Sequence, residues 1–103
     1  MNNYEIILSK HAHLTFKRNI KFLNKFNISY ANRIKNSIQI SIQNIKKFPY
    51  SFPIFKITKK NIYRKLIIKN RYLIIFTIKK RKILIYYILD GRQSYIKYFN
   101  SLK

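Results

Sequence analysis

The C-terminal half of this chain holds three apolar runs separated by two short polar turns, and this pattern restricts the fold more than any other feature. The runs are Ile62–Ile68, Tyr72–Ile78 and Ile83–Leu89, and the turns are Lys69–Asn70 and Lys79–Arg81. Short apolar runs bounded by turn residues are typical of β-strands. Because the runs are apolar at successive positions, we predict a small antiparallel sheet that is buried on both sides at its centre.

The N-terminal half has the spacing of a short strand followed by two helices. Ser9 and Ser29 are predicted helix caps, and Pro49, which follows Phe48, is expected to stop the second helix. The predicted elements are a strand at Tyr4–Leu8, a helix from Lys10 to Phe26 and a helix from Ser29 to Lys47.

These elements together predict an α+β fold with the order β-α-α-β-β-β, in which a helical hairpin packs across a small, mostly antiparallel sheet. Pro53 is expected to close a loop between the hairpin and the sheet, and Ser94–Leu102 to form a final helical turn or two. The length of 103 residues predicts one domain, covering 1–103.

The chain is strongly basic, with a formal net charge of +21 that arises from 23 Lys and Arg against 2 Asp and Glu. The abundance of Ile, Lys, Asn, Tyr and Phe, all encoded by A/T-rich codons, explains part of this charge. It does not explain why Glu5 and Asp90 are the only acidic residues, since glutamate also has an A-rich codon. The charge therefore predicts a polyanionic or acidic partner.

Several classes of protein are disfavoured by composition. The chain has no cysteine, which fits a protein of the reducing cytoplasm, where we expect it to act. The first apolar run, Ile6–Leu8, is too short for a signal peptide, and no run approaches the ~20 residues of a membrane helix. His11 and His13 are two positions apart on a predicted helix and face apart, so we predict no metal site and no cofactor.

Short motifs follow one another in a characteristic order along almost the whole chain. They are Phe48–Pro49 after the helical hairpin, Tyr63–Leu66 at the start of a strand, Asn70 with Tyr72–Phe76, and Asp90–Gln93 after the last strand. Each motif is only a few residues long, so their order and spacing carry the comparison. In these respects the chain resembles the RelE/ParE family of toxins from bacterial type II toxin–antitoxin systems.

The resemblance implies two candidate mechanisms, because RelE-like members cut messenger RNA on the ribosome whereas ParE-like members block DNA gyrase. Arg64 matches a basic strand position of the family, Arg92 the arginine past the last strand, and Tyr98 the C-terminal tyrosine. These three are the predicted catalytic residues of a metal-independent, ribosome-dependent endoribonuclease. Its predicted RNA-binding residues are Lys65, Arg71 and Tyr95.

Cleavage of RNA through its own 2′-hydroxyl requires a proton acceptor, stabilisation of the charged phosphorane and a proton donor to the leaving oxygen. The sequence has no carboxylate pair for this work, so Arg64 and Arg92 would clamp the phosphate, and Tyr98 or Tyr95 would transfer protons. Structural alternatives remain open. Arg64 could instead bind carbonyls at the end of the helical hairpin, and Tyr98 could be a packing residue.

Two positions depart from the RelE-like pattern. Leu66 stands where that branch has a second basic strand residue, and Leu73 stands where it has an arginine. Arg71 could replace the latter only if the strand is already regular at that point. These departures favour the alternative of a non-enzymatic gyrase inhibitor; a third possibility is a basic nucleic-acid-binding protein without toxicity. For either toxin, the resemblance implies an acidic antitoxin as partner, and the charge makes that physically reasonable.

Overall fold

The computed structural model describes residues 4–69, 71–91 and 95–103. Over these residues the chain forms five strands, three helices and one 3₁₀ turn at Pro49–Ser51. The strands are β1 (Glu5–Leu8), β2 (Ile54–Ile57), β3 (Ile62–Ile68), β4 (Tyr72–Lys79) and β5 (Lys82–Asp90). The helices are α1 (Lys10–Asn24), α2 (Ile28–Lys47) and α3 (Tyr95–Ser101). The predicted α+β fold is confirmed, with one strand more than predicted.

The five strands form one sheet in the order β1-β5-β4-β3-β2. Neighbouring strands from β2 to β5 are antiparallel, whereas β1 pairs parallel with β5, from Glu5 opposite Lys82 to Leu8 opposite Ile85. The helical hairpin lies between β1 and the later strands in sequence, which supplies the long connection that parallel neighbours require. The sheet is therefore mostly antiparallel, with one parallel edge.

The helical hairpin packs on one side of the sheet, which we call the helix face. Small and branched side chains of α1 and α2 meet alternate residues of the central strands there. The most deeply buried side chains of this hydrophobic cluster include Ala12, Ala31, Ile38, Ile45, Ile74, Phe76, Ile83 and Ile85. Complete burial of one such aliphatic or aromatic side chain contributes roughly 1.5–3 kcal/mol, so the many buried side chains of this face together contribute strongly to the free energy of unfolding.

The opposite side of the sheet, which we call the C-terminal face, is packed by the end of the chain. Leu102 is buried there with Tyr63, Leu73, Ile75 and Leu89. The Nζ atom of Lys56 donates to the carbonyls of Phe99 (2.6 Å) and Leu102 (2.9 Å), which places a cation at the end of α3. Residues 72 to 77 of β4 are consequently all buried, as the apolar runs predicted.

Three predicted boundaries are corrected by the structure. Asn27, and not Ser29, caps α2, because its side-chain oxygen accepts from the Tyr30 amide at 3.0 Å. The first helix ends at Asn24 rather than Phe26. After Pro53, where no element was predicted, the chain forms the edge strand β2, which is only four residues long and irregular between Ile54 and Lys56.

The predicted cap of the first helix is correct. The Ser9 Oγ atom accepts from the Ala12 amide at 3.0 Å and donates to the Tyr86 carbonyl at 2.6 Å. The cap thus also attaches the start of α1 to β5. The two tight turns of the sheet contain Lys69 (φ 50°) and Lys80 (φ 57°), both in the left-handed region.

Candidate functional site

Arg64 lies on β3 with its side chain on the helix face. Tyr63, the preceding residue, packs on the C-terminal face, and side chains alternate along a strand. The Arg64 Nη1 atom donates to the carbonyls of Phe52 at 2.7 Å and Tyr50 at 3.4 Å, and Cζ lies 5.4 Å from the centre of the Tyr50 ring. These contacts hold the segment that follows α2 against the sheet. Arg64 therefore has a structural role of the kind considered above, but the carbonyls that it binds follow α2 and are not those of the helix end.

Tyr98 lies on α3 and packs, partly buried, on the C-terminal face. Its ring centre is 4.9 Å from that of Tyr87 on β5 and 5.7 Å from that of His11 on α1, both in edge-to-face geometry. Such aromatic pairs stabilise a fold beyond the area they bury. Tyr98 thus has a packing role, whatever chemistry it also performs.

The structure places Arg64 and Tyr98, two of the three predicted catalytic residues, on opposite sides of the sheet. The side chain of Arg64 is on the helix face and that of Tyr98 is on the C-terminal face, so the sheet separates them. Arg92, the third predicted catalytic residue, lies outside the described residues. The catalytic assignments of Arg64, Arg92 and Tyr98 remain predictions, and the first and last of these do not share a pocket.

Among the predicted RNA-binding residues, Lys65 lies on the same face as Tyr98. Its Nζ atom is 6.0 Å from the centre of the Phe55 ring, a long cation–π contact beside the aromatic cluster of that face. Tyr95 is the first residue of α3. The roles of Lys65 and Tyr95 in RNA binding remain predictions.

Arg71 does not replace the missing arginine at position 73. It precedes β4, and its Nη1 atom donates to the Tyr30 hydroxyl at 2.8 Å, while Cζ lies 5.6 Å and 5.8 Å from the ring centres of Tyr30 and Tyr72. Leu73 is buried in the cluster on the C-terminal face. Because β4 begins only at Tyr72, the strand is not yet regular at Arg71 and the condition for spatial substitution is not met. The role of Arg71 in RNA binding remains a prediction.

The two leucines that depart from the RelE-like pattern are part of the hydrophobic core. Leu66 packs, partly buried, against the helix-face cluster. Leu73 is only 2% exposed on the other side of the sheet. Neither position therefore presents a side chain with which the protein could bind a phosphate.

The arrangement of His11 beside Tyr87 was missed in the sequence, where His11 was considered only as a metal ligand. Their ring centres are 4.9 Å apart, and the Tyr87 hydroxyl is 2.7 Å from the Ser101 hydroxyl. Imidazole and phenol groups can exchange protons. No local sequence motif predicts this cluster, because its members come from α1, β5 and α3.

Two tyrosines are poor candidates for a base because burial raises the pKa of each hydroxyl. Burial is the main cause of the raised pKa of Tyr63, and the neighbouring Tyr86 adds to it. The pKa of Tyr72 is likewise raised by burial, although the positive charge of Arg71 partly opposes the shift. Each phenol is thus held in its protonated form even more firmly than a free tyrosine.

The described ranges contain no group of three or more His, Cys, Asp or Glu side chains that could hold a metal ion. Over those same ranges, no helix combines the length and hydropathy required to cross a bilayer.

Comparison with known proteins agrees with this architecture. The family model of the ParE toxin of the parDE type II toxin–antitoxin system matches residues 6–95. A solved structure described as the chromosomal ParDE toxin–antitoxin system from P. aeruginosa superposes with a TM-score of 0.69 at 11% sequence identity, covering 87% of this chain and 98% of that one. No curated protein matches the chain. The structural likeness shows the shared fold, and the family match shows that this chain belongs to the ParE toxin family of type II toxin–antitoxin systems.

Proposed function

We propose that this toxin stops growth by binding and inhibiting DNA gyrase, without cutting RNA. The observation that carries this proposal is the placement of Arg64 and Tyr98 on opposite faces of the sheet. When the scissile phosphate is converted to a phosphorane, the enzyme must stabilise its charge and transfer protons at the same place. Arg64, assigned to charge stabilisation, and Tyr98, assigned to proton transfer, do not converge.

The leucine positions support the same conclusion. Leu66 and Leu73 occupy the two places where RelE-like nucleases have cations, and both pack into the core. A nuclease of that type would thus lack two of its phosphate contacts. The match to the ParE model, which covers most of the chain, supports a gyrase target over a ribosomal one.

The second candidate function is RNA cleavage, which one observation favours. His11, Tyr87 and Tyr98 form a single aromatic cluster with proton-transferring groups on the C-terminal face, and Lys65 lies on that face as well. A nuclease built on this cluster would depend on His11 and would not depend on Arg64. His11→Gln and Tyr98→Phe would then each reduce cleavage, while Arg64→Met would change it only through stability.

The partner that we propose is an acidic antitoxin. The toxin carries a net charge of +21, and its only acidic residues are Glu5 and Asp90. A negatively charged partner would neutralise this self-repulsion and bind with a strong electrostatic component. The affinity of the pair should therefore fall as ionic strength rises.

The deciding experiment compares two enzymes on the same plasmid. The purified toxin is added at micromolar concentration to gyrase acting on relaxed DNA, and separately to topoisomerase I acting on supercoiled DNA. We expect inhibition of gyrase alone. Equal inhibition of both would mean that a polycation merely coats the DNA, and no inhibition of gyrase would overturn the proposal.

A parallel measurement tests RNA cleavage. The toxin is added to a translation extract, and the 5′ ends of a reporter messenger RNA are mapped. We expect the ends to match those without toxin. New ends that appear only on translated message, and that disappear with His11→Gln, would establish the second candidate function instead.

A further inference from the structure

A basic cavity lies where the turn between β2 and β3 meets the end of β4. Its volume is about 470 Å³, which is within the range of about 300–1,000 Å³ typical of small-molecule sites. The charged residues that line it are Lys59, Lys60, Arg64 and Lys79, and none of its described lining residues is acidic. The cavity therefore combines the size of a ligand site with a concentration of positive charge.

Arg64 is held in an orientation suited to receive an anion. A guanidinium has five N–H donors, and within the described part of the chain Arg64 makes its hydrogen bonds through Nη1 alone, to Phe52 and Tyr50. The Tyr50 ring, which is also part of the cavity wall, lies against the guanidinium. The side chain is thus fixed by the fold, and no described residue accepts a hydrogen bond from its other nitrogens. Fixed guanidiniums are strong receptors for oxyanions.

Lys59 and Lys60 lie in a turn that is closed by hydrogen bonds between Thr58 and Asn61. The Thr58 amide donates to the Asn61 carbonyl at 2.8 Å, and the Asn61 amide donates to the Thr58 hydroxyl at 3.0 Å. The Asn61 side-chain nitrogen then donates to the carbonyl of Lys103 at 2.8 Å, which joins the turn to the C-terminal segment. Lys59 and Lys60 are exposed at the tip of this closed turn. Their charges therefore lie beside the cavity without being buried in the hydrophobic core.

We infer that this cavity binds phosphate groups, supplied either by a free polyphosphate compound or by the backbone of a nucleic acid. Four cations around one cavity match the charge of a diphosphate or of successive phosphodiesters better than that of a single carboxylate. The lysines supply attraction, and Arg64 supplies fixed donors. This site is independent of the gyrase proposal, since a toxin without gyrase activity could still possess it.

The test uses inorganic pyrophosphate and the full-length toxin labelled with ¹⁵N. We expect the largest amide shifts at 58–62, 64 and 79. The exposed pair Lys59→Ala/Lys60→Ala should weaken pyrophosphate binding roughly tenfold or more, because two charge-assisted contacts are lost. The matched control is Lys21→Ala/Lys25→Ala on the helical hairpin, which removes the same charge from exposed positions and should change the affinity less than about twofold.

Equal weakening by both double variants, shifts spread evenly over the surface, or no binding at millimolar pyrophosphate would overturn the inference. A 12-nucleotide single strand distinguishes the two phosphate sources. If the turn variant weakens the binding of the oligonucleotide more than the control variant does, the natural ligand is a nucleic acid backbone. If only pyrophosphate binding changes, the site takes a free polyphosphate compound.

Discussion

The guanidinium of Arg64 donates to the carbonyl of Phe52 across 2.7 Å, and so ties the middle of β3 to the segment that follows α2. The contact joins positions 12 residues apart on the helix side of the sheet. It accounts for the side-chain direction of the one predicted catalytic arginine that the structure describes. The contact also makes Arg64 a stabilising residue, which can be measured.

Replacing Arg64 should lower stability. Arg64→Met keeps much of the apolar stem but leaves the Phe52 carbonyl without this donor, which costs about 1–3 kcal/mol. Urea unfolding followed by circular dichroism measures the loss. Lys65→Met is the matched control, since the contact recorded for this lysine among the described residues is a long cation–π contact with Phe55. Equal stabilities for the two variants would show that the hydrogen bond contributes nothing.

The separation of Arg64 from Tyr98 predicts additive effects. These side chains lie on opposite faces and share no partner within the described chain. The losses of unfolding free energy caused by Arg64→Met and by Tyr98→Phe should therefore add, within about 0.5 kcal/mol, in the double variant. Growth inhibition by the same variants should also combine without coupling. A double variant no weaker in toxicity than either single variant would mean that both groups act at one phosphate.

The two helix caps should differ in importance. Ser9→Ala removes both the cap of α1 and the bond to the Tyr86 carbonyl, whereas Asn27→Ala removes only the cap of α2. Loss of a cap costs about 1 kcal/mol, and the further lost bond adds about 1 kcal/mol. In chemical unfolding experiments, the Ser9→Ala variant should therefore be less stable than the Asn27→Ala variant. The reverse order would show that the link from α1 to β5 is energetically unimportant.

Replacement of Gly91 by alanine should lower the stability of the protein. Its amide donates to the Arg71 carbonyl, and a Cβ atom at position 91 would lie 2.6 Å from that same oxygen. The backbone must shift to relieve this clash, so Gly91→Ala should cost roughly 1–3 kcal/mol. Lys82→Ala, at the exposed start of β5, provides the control. An unchanged unfolding midpoint for Gly91→Ala would contradict the tight approach.

The buried hydroxyl of Tyr63 predicts a loss of stability in alkali. Burial raises the pKa of this group in the folded state above its ordinary value of 10.0. Its contribution is thus complete below about pH 10 and is lost as the pH rises through the folded-state pKa. The stability advantage of the wild type over Tyr63→Phe should shrink above pH 10. Tyr50→Phe is the control, because Tyr50 is a 62% exposed residue. Parallel curves of stability against pH for the two variants would contradict the prediction.

The sequence determined the main elements of this protein because they follow from local patterns. The apolar runs Ile62–Ile68 and Ile83–Leu89 became β3 and β5, and Ser9 became the cap of α1. The family was also recognisable from short motifs in order, since order and spacing survive where identity is low. Leu66 and Leu73 already pointed away from the RelE-like branch, but the burial that explains both leucines appears only in the assembled sheet.

Only the tertiary structure decided which face of the sheet each candidate residue occupies. Between β4 and β5 the register shifts: Ile75 pairs with Tyr87 and Phe76 with Ile85, so Tyr86 is inserted. Tyr86 and Tyr87 consequently both pack on the C-terminal face. A bulge of this kind moves the side chain of every later residue in the strand to the opposite face of the sheet. No local sequence pattern indicates where such a bulge occurs. The separation of Arg64 from Tyr98 is likewise a property of the assembled sheet, because facing depends on pairing between strands as well as on their sequence.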